Sequence, residues 1–323
     1  MKNYREMPGV NQSLLKKLIK GPFFTESNAT ADHFILGNLT EDLYNGNADK
    51  YKAVTFPSKT TNLGKFIGAI WQFAIDYDRM PDSSERSSIY DAAGIKKPAF
   101  PELDAKAEDF FGTNGNLDPT KHVVVSEDIM GKATNMVDKL MFDYYVKELL
   151  SANSEKTIHT SVVLESNYEG NTIPLTSLKR RIKCKGELDK LIVDHANKTV
   201  QIADLKTMGN YNYSFNSSFW SFRYDIQGAF YYSLVESMIA NNPLYEEYTQ
   251  LNPVFIAVDP WTPHPLIFKM SDETLSKGKD GYKDHYDNYQ PGWVKLMELY
   301  EFYESNTYEY PRETIESSGT IMI

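Results

Sequence analysis

Residues 185–207 read KGELDKLIVDHANKTVQIADLKT. Two runs rich in apolar and β-branched residues, 188–194 and 200–206, flank His195-Ala196-Asn197-Lys198, whose composition suits a tight turn. The spacing predicts two strands joined as a hairpin. Alternate residues of a strand share a face, so Asp204 and Lys206 point the same way. The carbonyl of Leu205 lies near the same edge, and antiparallel pairing brings the Asp189 carboxylate towards Asp204. Two carboxylates and a carbonyl oxygen suit a hard divalent cation such as Mg²⁺. Such a cation polarises a phosphate and lowers the pKa of its bound water. A lysine beside it orients or deprotonates that water and balances charge in the transition state. Asp-x-Lys also arises by chance, and aspartates are common at strand ends, so the trio needs support from elsewhere in the chain.

Outward from this hairpin, residues 159–166 (HTSVVLES), 179–185 (KRRIKCK), 253–258 (PVFIAV) and 265–269 (PLIFK) also read as strands. Helical spacing covers 11–20, with Asn11 as N-cap and Gly21-Pro22 as stop, then 31–45, 63–78, 127–151, 223–240 and 291–305. Residues 80–120 are rich in Pro, Gly, Asp and Ser and read as a long loop or mobile insertion. The order predicts a single α/β domain over 1–323, a central mixed sheet flanked by helices. Within it, 1–155 is mostly helical, 156–310 carries the sheet and its helices, and 311–323 is a tail.

Several side chains could extend the central trio. Gln227 and Tyr231, one turn apart on the 223–240 helix, share a face and could bond a phosphate or hold a carboxylate. Glu41 follows Gly37 in the 31–45 helix, where a glycine costs about 1 kcal/mol against alanine and suggests close packing; solvated Glu41 and Asp42 are the plainer alternative. Lys179, Arg181, Lys183 and Lys185 alternate along one expected strand, either as a basic track for a phosphate backbone or as protection of an edge strand. Tyr211, Tyr213, Phe215, Phe219, Trp220 and Phe222 suit packing or base stacking, with packing the more usual role of aromatics. Asp259-Pro260-Trp261 with His264 has no usable metal-ligand spacing.

Composition sets the outer bounds. The 323 residues are 41% hydrophobic, enough for a sizeable core. The single cysteine, Cys184, excludes an intrachain disulfide and a multi-cysteine metal site and suits a reducing cytoplasm. No signal-peptide core or membrane span is expected. The net charge of −10 disfavours a nucleic-acid partner by itself, although a local field can oppose the total. No Gly-rich phosphate loop ending in Gly-Lys-Ser/Thr predicts an ATP site, and no Gly-x-Ser-x-Gly elbow is present.

Taken in order, the segment from Asn11 to Pro22, the Glu41 helix, Gly186-Glu187-Leu188-Asp189, Asp204-Leu205-Lys206-Thr207 and the Gln227 to Tyr231 pair resemble the RecB-type branch of the PD-(D/E)XK nucleases. The likeness is nearest to RecE-like and phage lambda exonuclease-like enzymes and spans about residues 10–235. The resemblance implies a restriction-endonuclease-like fold and a metal-dependent deoxyribonuclease, most often an exonuclease of phage-type recombination or DNA processing. It implies Asp189, Asp204 and the Leu205 carbonyl as ligands of Mg²⁺ or Mn²⁺. It implies Lys206 as the catalytic lysine, and Gln227 and Tyr231 as positioning groups. Glu41 stands where many members carry histidine, and His33 is an alternative. Four cluster cysteines are missing, so no iron–sulfur cluster is expected. DNA is the implied partner, with a single-strand annealing protein and a homo-oligomer as further options and no membrane. A non-catalytic DNA-binding or assembly protein and a structure-specific endonuclease stay open as alternatives.

Overall fold

The computed structural model describes residues 4–20, 32–96, 98–114, 117–118, 120–169 and 181–305. The chain divides into two compact units, Met1–Ala29 with Lys139–Ile323, and Thr30–Asp138. Along the sequence, α1 (Gln12–Leu18) belongs to the first unit. The second holds α2 (Asp32–Tyr44), β1 (Tyr51–Ala53), α3 (Asn62–Tyr77), α4 (Ser83–Ala92), α5 (Phe100–Thr113) and β2 (Val123–Val125). Helix α6 (Glu127–Phe142) spans the boundary residue.

In the second unit, α3, α4 and α5 bury Phe66, Ile67, Ile70, Tyr90, Leu103 and Ala107 in one cluster. The loop expected over 80–120 is therefore corrected to two helices. The residues that suggested a loop are helix-starting groups. Asp82 and Glu85 form a reciprocal capping box at the start of α4, and Pro101 stands in the first turn of α5.

The first unit continues with α7 (Tyr144–Leu150), β3 (Lys156–Glu169), β4 (Arg181–Asp194), β5 (Thr199–Thr207), α8 (Phe215–Ser221) and α9 (Tyr224–Ala240). Then come β6 (Thr249–Val258), β7 (Leu266–Lys269), α10 (Asp272–Asp280), the short pair β8 (Tyr282–Lys283) and β9 (Tyr289–Gln290), and α11 (Trp293–Ser305). The helix expected over 127–151 breaks at Asp143, whose carboxylate accepts the N–H groups of Tyr145 and Val146 and restarts the chain as α7. The two strands expected at 179–185 and 188–194 are one continuous β4 over its described length.

Five strands lie in the order β3-β4-β5-β6-β7, with β5 and β6 parallel and every other pair antiparallel. This is a mixed α/β sheet. The hairpin between β4 and β5 closes on Asp194, whose carboxylate accepts the Asn197 N–H and side-chain amide. The main core joins Leu15 of α1, Leu188 and Val193 of β4, Ile202 of β5, Phe230 and Leu234 of α9, and Leu296 of α11. A second cluster sets Phe215 and Phe219 of α8 against Phe255 and Ala257 of β6. No helix among the described residues is long and apolar enough to cross a membrane. The expected tail at 311–323 lies outside the described residues.

Candidate active site

The last ladder pair between β4 and β5 is Lys190 with Ala203, so the next position sets Asp189 beside Asp204. On its other side β4 skips the pairing of Asp189 with Ser161, which takes φ 50° in the left-handed region. The Asp189 carboxylate turns to β5 instead, and its Oδ2 accepts the Leu205 N–H at 2.8 Å. Asp204 is 2% exposed. Its Oδ1 accepts from Gln227 Nε2 at 2.6 Å. Its Oδ2 forms an ion pair with the Lys206 ammonium and has no directed hydrogen bond. Burial pulls the Lys206 ammonium's pKa down, but the carboxylates of Asp204 and Asp189 outweigh it and hold the pKa above the ordinary lysine value. The two carboxylates therefore favour the ammonium form of Lys206.

Helix α9 supplies the opposite wall. Its first residue follows Arg223, whose φ of 53° and ψ of 48° are unfavourable for a side chain with a Cβ. The Arg223 guanidinium offsets that strain by donating to the Asp225 carboxylate and, at 2.7 Å, to the Pro291 carbonyl. From this start, Tyr224, Gln227 and Tyr231 fall on successive turns of one face. The Lys206 Nζ sits 4.8 Å from the Tyr224 ring centroid. Tyr231 is buried, and its phenol pKa is raised well above the ordinary value, first by burial and then by Asp204 and Asp189. Gly186 lets α9 approach: a Cβ there would stand 2.5 Å from Leu234 Cδ1 and 3.0 Å from Tyr231 Cε1.

Two residues on α1 join this wall that the motif reading did not single out. Gln12 meets the Tyr231 hydroxyl, and Lys16, one turn further on, donates to the Phe222 carbonyl at 3.2 Å. The Lys16 Nζ is 5.6 Å from the Tyr224 centroid, so the two ammonium groups, Lys16 and Lys206, share one ring. Burial, then repulsion from Lys206, lowers the Lys16 pKa to about 8, against the pull of Asp204 and Asp225. The available signal was the spacing of Gln12 and Lys16 at i and i+4 around a buried Leu15.

Glu41 and His33 are on α2 of the second unit; Glu41 is partly buried, and the His33 side chain lies outside the described residues. Lys179 is also outside them. Arg181 pairs with Glu169 at 3.4 Å and Lys183 with Glu165 at 2.6 Å, across β3 and β4. Lys185 is 4% exposed, and its ammonium donates to the carbonyls of Tyr4 and Met7. A basic track through Lys185 is thus corrected to a buried anchor for the residues before α1. On the side away from β3, β5 pairs with Lys190–Asp194 only, and the 181–185 stretch has a single bridge, Cys184 with Val10.

Among the described residues no three His, Cys, Asp or Glu side chains gather as a metal cluster. The donor set expected from the sequence is two carboxylates, which the structure sets on neighbouring strands, and the Leu205 carbonyl. Mg²⁺ commonly binds through one or two carboxylates, with water and substrate phosphate completing its shell. The buried Asp204 Oδ2 faces the Lys206 ammonium, and an ion held there would share that oxygen with the lysine.

No family model matches the chain, and no curated protein matches it. Among solved structures it has a likeness to a candidate exonuclease from Eubacterium rectale, with 15% identity and a TM-score of 0.31 over 69% of this chain and 80% of that one. An overlap of that size assigns neither fold family nor activity.

Proposed function

We propose that the chain is a divalent-metal-dependent nuclease that hydrolyses DNA phosphodiester bonds. The buried Asp204–Lys206 pair, flanked by Asp189 and Gln227, supports this reading most directly. An ion pair almost withdrawn from water is a costly way to add stability, and apolar residues of similar size often do as well or better. A lysine with a strongly perturbed pKa beside a buried carboxylate is frequent where chemistry is done.

Asp189, Asp204 and the Leu205 carbonyl would hold Mg²⁺ or Mn²⁺. Such an ion supplies charge to the phosphate and acidity to water. Gln227 fixes the orientation of the Asp204 carboxylate through Oδ1. Leu205 N–H does the same for Asp189. Lys206, held as an ammonium, orients the attacking water and opposes the negative charge that grows on phosphorus's oxygens. Lys16 offers a second ammonium to a non-bridging oxygen. Hydrolysis then joins a water oxygen to phosphorus as a phosphorus–deoxyribose oxygen bond breaks. One proton leaves the water and one reaches the departing oxygen.

The finer reading is an exonuclease in phage-type DNA processing, carried by the order of the motifs. Cleavage of end-labelled linear duplex and of closed circular DNA, with Mg²⁺ and with EDTA, tests it. The expected result is metal-dependent loss of linear DNA only, abolished by Lys206→Ala. Cutting of the circle would replace exonuclease by endonuclease. DNA binding without cleavage of either substrate would remove the enzyme reading.

A further inference from the structure

Three exposed aromatic rings gather in the loops after β5 and β6. Tyr211 and Tyr213 stack with centroids 5.2 Å apart and planes 9° apart, and Trp261 lies 5.9 Å from Tyr211. Their exposures are 48%, 66% and 52%. The rest of the aromatic run divides differently: Phe215 and Phe219 are buried in the core with Phe255. Core packing therefore accounts for Phe215 and Phe219 and leaves Tyr211 and Tyr213 unexplained. Isolated exposed rings are ordinary, whereas a contiguous group marks a binding surface.

A buried carboxylate holds the rings in place. Asp259 is fully buried. Its Oδ2 accepts the Asn212 N–H at 2.6 Å and the Thr262 hydroxyl, and its Oδ1 accepts the N–H groups of Trp261 and Thr262 at 2.7 Å each. The Asn212 amide donates in turn to the His264 carbonyl at 2.6 Å. Burial alone would raise the Asp259 pKa, but these hydrogen bonds outweigh it and lower the pKa. One carboxylate thus ties the loop after β5 to the loop after β6. Asn212, between the two stacked tyrosines, and Trp261 itself are both its donors. The arrangement is set before any ligand arrives, which lowers the entropic cost of binding.

The position is tied to the candidate active site. Strands β5 and β6 run parallel, so their C-terminal ends share one edge of the sheet, and Asp204 and Lys206 lie towards that end of β5. Tyr211 follows Lys206 by five residues, which limits the Cα separation to about 17 Å.

We propose that Tyr211, Tyr213 and Trp261 form a stacking platform for unpaired bases of a DNA strand whose phosphates reach Asp189, Asp204 and Lys206. The proposal rests on the nuclease reading for its choice of ligand. Two rings with nearly parallel planes match the geometry of stacked bases, and phosphate chemistry lies at the same end of the sheet. Stacking tolerates every base, because each has a π-face. The platform favours a single-stranded tail over a blunt duplex, whose bases are already stacked on one another.

Binding by the full chain, measured by fluorescence anisotropy in EDTA so that nothing is cut, tests the platform. The probes are a labelled short oligothymidine and a labelled blunt duplex of mixed sequence. Tyr213→Ala and Trp261→Ala should each weaken oligothymidine binding about tenfold. Tyr213→Phe, which keeps the ring, should stay within about twofold of wild type, as should the Ala variants on the duplex. Unchanged oligothymidine binding in both Ala variants overturns the proposal. So does equal loss on the duplex, which would make the rings general contacts. The two readings fail separately. A chain that binds oligothymidine through these rings but cuts no DNA retains the platform and loses the nuclease. A chain that cuts DNA while Tyr213→Ala and Trp261→Ala bind like wild type retains the nuclease and loses the platform.

Discussion

Replacing Lys206 by methionine keeps most of the side chain's stem against Tyr224 and removes only the charge. Asp204 then keeps Gln227 on Oδ1 and loses the cation on Oδ2. Breaking a buried pair from one side costs about 3–5 kcal/mol, since the remaining charge has little water and here only the more distant Lys16 ammonium to oppose it. The Asp204 side chain is 3% exposed and that of Lys206 17%, so water screens the pair slightly. About 3 kcal/mol, the lower end, is the expected loss. Asp204→Asn combined with Lys206→Met leaves no charge to strand, and the asparagine oxygen can still accept from Gln227. The double variant should return to within about 1 kcal/mol of wild type, a coupling of about 2 kcal/mol or more. Urea unfolding followed by tryptophan fluorescence reads this directly. Trp220, Trp261 and Trp293 lie in the same unit as the pair, and a Trp71→Phe background silences the fourth tryptophan, in the other unit. A shift in midpoint at constant m is the stability change. If Lys206→Met costs under about 1 kcal/mol, or the double variant is as unstable as the single, Asp204 is not an isolated buried charge and the reasoning fails.

Other substitutions probe the wall around the pair. Lys16→Gln should lower the slope of log affinity against log salt by about 0.9 on duplex DNA, one phosphate contact fewer, in filter binding at several salt concentrations. The Lys16 pKa of about 8 in the free chain adds a pH signature. Below that pH the ammonium is present before DNA arrives; above it, binding must take up a proton, because a phosphate favours the charged form. Wild-type affinity should therefore fall as pH rises from about 8 to 9, and the Lys16→Gln affinity should not, when both are titrated at constant salt. Gly186→Ala forces its new methyl against Leu234 and Tyr231 and should cost about 1–3 kcal/mol in urea unfolding, with cleavage reduced further as Gln227 shifts on Asp204.

The strands at the centre of the sheet were legible because short-range rules decide them. Alternation in 200–206 and a turn at 195–198 are local, and β5 and its hairpin follow from them. The placement of Asp204 and Lys206 on one face is the same two-residue period. Helix starts were harder. Asp82, Ser83 and Pro101 are equally at home in loops and at helix N-termini, and only the apolar partners of Tyr90, Leu103 and Ala107 across the chain decide between them. The four alternating cations looked alike in sequence, yet Lys183 meets Glu165 and Lys185 meets backbone carbonyls, partners at least 18 residues away. The roles of Lys16 and Gln12 have the same long-range origin: they depend on α1 packing beside α9, a contact between elements more than 200 residues apart. Asp259 had no ligand-like spacing, because three of its four donors are backbone N–H groups, which leave no trace in side-chain identity.

Under the proposed function, an acidic chain depends on cations placed where phosphate chemistry occurs. On the nuclease reading, the β3–β4 ladder carries balanced pairs, Glu165 with Lys183 and Glu169 with Arg181, so it offers a phosphate backbone little net attraction. At the candidate site Lys16 and Lys206 share one ring, and Lys206 already answers Asp204. Two such contacts would contribute about −2 to the salt slope on duplex DNA, against about −10 for a repressor that grips many phosphates. Stacked rings would add a contribution that salt screens little. The middle of a duplex has no unpaired base to give them, whereas a frayed or tailed end does. On the nuclease reading, two cations at the site and exposed rings in the loops after β5 and β6 would therefore both favour strand ends.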